Sequence, residues 1–153
     1  MKVFITFVLV LFLMLQTAMA DSYDFRGIKL GMGKTQATSI ASSYEGFVDG
    51  DSLIGFYSEI NGTRVESVII FYDYLAAEIR LKFSYNQFQA VKKHFIKNYG
   101  KPTSDKNIIK QNLFGATFEF NNVIWLNKNY TIIGFEDAPT EFKKSSFIIK
   151  KTL

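Results

Sequence analysis

Residues 53–60 and 63–72 are two runs rich in β-branched and aromatic side chains, held apart by only two residues, Asn61-Gly62. Asn-Gly readily adopts the left-handed backbone of a primed two-residue turn, whose twist matches that of paired strands. A third run, 76–83, alternates cleanly, with Ile79, Leu81 and Phe83 to one side and Glu78, Arg80 and Lys82 to the other. Alternation with period two means a sheet with one buried and one wetted face. A chain that contains these runs is committed to an antiparallel sheet.

Helical spacing interrupts the strands twice. Over 84–99, Phe88, Val91, Phe95 and Tyr99 recur on one stripe, while Lys92, Lys93 and Lys97 lie off it on a solvated face. Ser84 is placed to cap this helix, Gly100 to end it in a left-handed turn and Pro102 to prevent its resumption. The lysines near its end suit the negative pole of the helix dipole. Residues 34–44 form a second helix, with Gly33 at its N-cap, Ala37, Ile40, Ala41 and Tyr44 inward, and Gly46 as its stop. Further strands are predicted at 114–120, 123–127, 130–135 and 145–150, with a turn at Asn121-Asn122 and a polar loop over 102–111. The expected fold class is α+β, an antiparallel sheet with two helices on one face. Residues 27–83 and 84–149 read as two diverged helix-plus-strands repeats.

The start of the chain has a separate purpose. Lys2 precedes the apolar run VFITFVLVLFLML, and Ala18-Met19-Ala20 has the small-x-small pattern of a cleavage site. This is the plan of a secretory signal peptide, residues 1–20, cut after Ala20. The apolar run is shorter than the ~20 residues a membrane span needs, and no stop-transfer segment follows. No stable membrane span is therefore expected after cleavage; the alternative is an uncleaved anchor. Removing 20 of the 153 residues leaves 133, residues 21–153, enough for one domain with a real core. Without Lys2 the formal charge falls from +4 to +3. Arginine is limited to Arg26, Arg64 and Arg80, and the lysines are scattered, which speaks against nucleic acid as a partner. The absence of cysteine excludes disulfides, thiol catalysis and Cys-based metal sites, and fits a bacterial or phage product in the periplasm or medium. In that setting Asn61-Gly-Thr63 and Asn129-Tyr-Thr131 are chance matches to the glycosylation pattern.

The usual chemical constellations are incomplete. Gly31-Met-Gly33-Lys34-Thr35 has the end of a phosphate loop, but Ile28 stands where the first glycine belongs. The glycines are read instead as a tight strand-to-helix turn. His94 is the only histidine, so it cannot build a multi-histidine metal site, and a general base needs an orienting partner. Asp49-Gly-Asp51 lacks the remaining oxygen positions of a calcium loop, and no Gly-x-Ser-x-Gly elbow occurs. No catalytic, metal or cofactor-binding residue is assigned, and the chain is expected not to be an enzyme. Aromatic area is in excess: 25 Phe, Tyr and Trp residues, 22 of them after the signal. With helices on one face only, Phe71, Tyr72, Tyr74, Trp125 and Tyr130 are the candidates for protein-binding anchors on the open side. The alternatives are that a strand or loop covers them, or that they pair within an oligomer.

Phe25-x-x-Ile28-x-x-Gly31-Met32-x-x-x-Gln36 resembles the opening of the repeat in beta-lactamase inhibitor proteins and the small envelope domains that share their architecture. There an apolar strand and a Gly-Met turn lead into a short helix packed on an antiparallel sheet. The Tyr99-Gly-Lys-Pro102 ending is similar to one that recurs in small exported bacterial proteins. The chain departs from the family in lacking its cysteines, in having Gly33 in place of the hydroxyl cap and only Ala37 after the Gln, and in having no Gly-Met turn in the second half. The resemblance implies a non-catalytic role and does not specify a lactamase as target. The expectation is an exported protein-binding domain, an inhibitor or envelope accessory, acting on an unknown protein partner in the envelope or medium. The alternatives are a cell-wall hydrolase working through paired carboxylates, or a carrier of a small apolar ligand.

Overall fold

The computed structural model describes residues 23–136 and 144–152. The signal segment lies outside the described residues, and no described helix is long and apolar enough to cross a membrane. The chain runs through a two-strand hairpin, β1 (Asp24–Phe25) and β2 (Ile28–Lys29), then α1 (Lys34–Ala41) and a meander of β3 (Val48–Asp49), β4 (Leu53–Ile60), β5 (Thr63–Tyr72) and β6 (Leu75–Ser84). A 3-10 turn (Tyr85–Gln87) leads into α2 (Phe88–Tyr99), followed by β7 (Ser104–Gln111), β8 (Thr117–Leu126), β9 (Tyr130–Phe135) and β10 (Lys144–Lys151). Eight strands form one antiparallel sheet in the order β3-β4-β5-β6-β10-β9-β8-β7. The fold is α+β, and each helix is followed by four strands.

Alternation sets the core. Ile54, Ile69, Ile79, Ile149, Ile132 and Trp125 are direct cross-strand neighbours from β4 to β8. All are at most 4% exposed, and each fully buried aliphatic side chain contributes about 1.5–3 kcal/mol. The parallel row runs Phe56, Ser67, Leu81, Phe147, Gly134, Val123. On this side α2 buries Phe88, Val91 and Phe95, and the Phe95 ring stacks on Phe147 with centroids 4.3 Å apart. The α1 helix brings Ala37 and Ala41, and Phe25 of β1 stacks near Phe56. Both helices and the β1–β2 hairpin thus pack against the same face.

The Asn61-Gly62 turn has both residues left-handed, φ +49° and +76°, as a primed turn requires. Gly100 ends α2 at φ +78°. Four expectations need correction. Residues 102–111 are not a loop, because Ser104–Gln111 forms an edge strand whose polar side chains face water while its backbone pairs with β8. Asn121-Asn122 is not a turn but the middle of one continuous strand. Asn121 is buried there and donates to Asp105 and Asn107, so β7 supplies the amide's partners. The first helix ends at Ala41, ahead of Tyr44 and Gly46, where the Ser42 and Ser43 hydroxyls bond the carbonyls of Ser39 and Ile40. Ser84 precedes a 3-10 turn and makes no side-chain cap bond.

Candidate functional site

Fixing the parity of every strand from its buried residues also fixes what stands on the other face. Across β8, β9 and β10 that face carries Ile124, Ile133 and Ile148 as direct neighbours, and beyond Arg80 it continues to Val68 on β5. All four apolar residues are only half-buried. Cations border them. Arg80 pairs with Glu78 on its own strand, and Lys144 reaches Glu66 at 3.1 Å. Lys82, Lys106, Lys110 and Lys150 have no carboxylate within salt-bridge distance among the described residues.

At one corner of this face, where β7 and β8 leave the sheet, a groove of about 400 Å³ is lined by Ile108, Lys110, Phe120, Phe135, Lys144 and Ser146, with Asn122 and Glu136 at its floor and rim. The Lys110 ammonium lies 5.5 Å from the centre of the Phe120 ring. Asn122 Oδ1 is buried and accepts no hydrogen bond among the described residues. A buried acceptor of this kind costs desolvation until a donor meets it.

The aromatic candidates divide. Tyr72 stands on the open face, 76% exposed, and Tyr74 is 79% exposed in the adjoining turn. Asp73 and Tyr74 both take positive φ there, and the turn is held by Lys34 N–H donating to the Tyr74 carbonyl at 2.8 Å. Phe71, Trp125 and Tyr130 belong to the core and are not surface anchors. Phe71 falls on the helix side by alternation. The Trp125 indole N–H donates to the Gly100 carbonyl at 2.8 Å, locking it beneath the end of α2. Tyr130 meets Tyr23 and Tyr99 edge-on. Treating 114–120 and 123–127 as separate strands hid this parity. One continuous strand puts Val123 and Trp125 inward and Phe118, Phe120 and Ile124 outward, and that alternation was the missed signal.

A second concavity, about 450 Å³, lies between the β1–β2 hairpin, the β4–β5 turn and α2, lined by Asp24, Arg26, Glu59, Asn61, His94 and Asn98 among others. It holds the two carboxylates that a hydrolase reading requires. Asp24 Oδ1 is engaged, accepting from Gly27 N–H at 2.8 Å, and Arg26 donates to the Glu59 main-chain carbonyl. Partial burial, reinforced by the charges of Arg26 and Lys97, holds the His94 imidazole below its usual value of 6.5. Burial raises Tyr99 to about 12. The glycine-rich turn before α1 spends its amides internally: Gly31 donates to Ala76, Met32 to Lys29 and Lys34 to Tyr74. Among the described residues no three His, Asp or Glu side chains gather as metal ligands. Between sheet and helices, the space an apolar ligand would need is occupied by the rings of Phe88, Phe95, Trp125 and Phe147.

No family model, curated protein or solved structure matches the chain.

Proposed function

We propose that this chain is an exported, non-catalytic protein-binding domain that grips an acidic partner segment on the open face of its sheet. The observation that carries this reading is the corner groove. Its apolar walls, Ile108, Phe120 and Phe135, surround a buried acceptor, Asn122 Oδ1, that lacks a donor among the described residues, and lysines stand at its rim. An extended polypeptide supplies all three complements: an amide N–H for Asn122, an apolar side chain for the walls and carboxylates for the lysines. The resemblance to inhibitor-type envelope domains agrees with this role. Export is part of the proposal and rests on residues 1–20.

The two carboxylates of the second cleft favour a rival, carboxylate-based hydrolysis. Asp24 is tied into the β1–β2 turn, which argues for a structural use of that side chain.

A photoreactive residue at Phe135, in cells producing the full chain, is expected to trap one acidic protein. The adduct is lost when Lys110→Glu and Lys144→Glu are added to a protein that still folds. Equal trapping from Lys93 on the helix side, or adducts indifferent to the charge reversals, would remove the groove from consideration. Loss of a cell-wall-degrading activity in a Glu59→Gln protein would establish the rival.

A further inference from the structure

The β7–β8 hairpin runs past the rest of the sheet. β9 pairs with β8 only over residues 122–126, so among the described residues the outer four pairs, 108–111 with 117–120, bond only to one another. At ~3.3 Å per residue this is a ribbon of about 13 Å, extended further by the turn at 112–116. The turn is ordered by its own bonds. Asn112 Oδ1 accepts from the N–H groups of Phe114 and Ala116 at 3.0 and 2.9 Å, and the Gln111 side-chain amide donates to the Gly115 carbonyl at 3.0 Å. What this turn displays is apolar: Leu113 is 101% exposed and Phe114 95%.

Apolar groups also flank the stem on both sides. Ile109, 70% exposed, points to the helix side, and Ile108 and Phe118 to the open side. The interfacial region of a bilayer closes around the end of such a ribbon and removes the tip and both flanks from water together. Charge fits as well. Among the described residues Lys106 and Lys110 stand on the stem without a carboxylate partner, while the outer stem's carboxylate, Glu119, faces the other way and accepts from Asn107 at 2.7 Å. Lysines set back from an apolar tip reach the headgroups while the tip lies deeper, and they favour anionic lipid.

We propose that the β7–β8 arm is a membrane-docking device that inserts Leu113 and Phe114 into an anionic lipid surface, with Lys106 and Lys110 at the headgroups. Tip-first insertion leaves Asn122 and Phe135 of the groove clear of the lipid; the arm and the groove share Ile108 and Lys110, so the test alters only Leu113 and Phe114, which the groove does not use.

The test uses protein purified after production from the full-length chain, mixed with phosphatidylglycerol-rich or pure phosphatidylcholine vesicles. The expected result is sedimentation with the phosphatidylglycerol-rich vesicles that falls about tenfold or more in Leu113→Ser/Phe114→Ser. Those side chains touch nothing in the core, so circular dichroism stays unchanged. A Phe114→Trp protein reports the tip directly, and its emission should shift to the blue with these vesicles. The Phe114→Trp emission reports the tip itself, and the mass of the purified protein shows whether residues 1–20 remain, since a retained apolar run would sediment with vesicles on its own. No sedimentation, sedimentation indifferent to the two serines, or an unmoved emission from the Phe114→Trp protein overturns the proposal. So does a photoreactive residue at position 114 that cross-links a protein rather than lipid.

Discussion

The two halves of the sheet repeat one another in outline and differ in bulk. Each is a helix followed by a four-strand meander, and each ends on a central strand, so that β6 and β10 meet in the middle. Their pairing is centred on Leu81 and Phe147, and one strand outward on either side lie Ser67 and Gly134, both on the buried face. The first half has a thin helix, with Ala37 and Ala41 inward. The second sets a thick one, with Phe88, Val91 and Phe95. Gly134 provides the room: a Cβ there would come within 2.6 Å of both the Phe147 ring and Val123. One topology therefore carries a helix with small inward residues in one half and large ones in the other, and Gly134 makes the space for Phe147 beneath the second. The edges differ too. The first half closes on β3 and on Tyr57 N–H donating to Glu45, whereas the second opens into the β7–β8 arm.

Breaking the thick half should cost the most. Phe147→Ala removes a ring stacked on Phe95 and Phe88 at the junction of the halves, and is expected to lower unfolding free energy by about 4 kcal/mol in urea denaturation. Ser67→Ala, on the thin side, loses one hydroxyl bond to Ser58 and should cost about 1 kcal/mol. Similar losses for the two would mean that the halves carry equal shares of the core.

A smaller effect distinguishes the opened edge from the closed one. Lys92 of α2 is buried, contrary to its expected place on a solvated face, and holds Asp105 at 2.7 Å and Asn121 at 3.1 Å. Lys92→Met should cost about 2 kcal/mol by stranding the polar groups at the base of the arm, read as a lower urea midpoint. Amide exchange along β7 should quicken more than along β4.

The smallest effect is a pH dependence from the same cluster. Hydrogen bonds from Lys92 and then Asn121 hold the Asp105 carboxyl below its ordinary value of 3.8. With the folded value depressed, the contribution is complete above that ordinary value and drains away as pH falls through the folded one. Urea midpoints taken downward from pH 5 should show an acid loss that is weaker in Lys92→Met. An identical acid limb in both proteins would disconnect Asp105 from the arm's stability.

The sequence made the thin half readable and the thick half only partly so, for physical reasons. β4 and β5 were found with both ends in place because Asn61-Gly62 writes its turn into two residues, and β6 announced itself by alternating charge. β7 carries Asp105, Lys106, Asn107 and Lys110 because it is an edge strand with little side-chain burial, and a polar edge strand has no hydrophobic period to detect. Asn121-Asn122 looked like a turn because asparagine usually is one, and only the tertiary partners Lys92, Asp105 and Asn107 make it a buried strand residue. The candidate site suffered most from that error. A break at Asn121 leaves the facing of Trp125 and Phe120 undetermined and hides the isoleucine stripe and the groove, while 68–72 is apolar on both faces and so does not tell Phe71 from Tyr72.

The junction strand has a consequence for how the protein is made. β10 is the last of the described strands to leave the ribosome or to be threaded through a membrane, yet it occupies the middle of the sheet. Until it arrives, β6 and β9 both present bare edges, and α2 lies over a gap where Phe147 belongs. The meanders can form locally and early, but their union waits for β10, across a separation of about seventy residues between paired positions such as Glu78 and Lys150. During that interval the nascent chain is a pair of open sheets, each able to accept the wrong strand. A cell that makes this protein is expected to keep it bound to a holding chaperone until β10 has been made or has crossed.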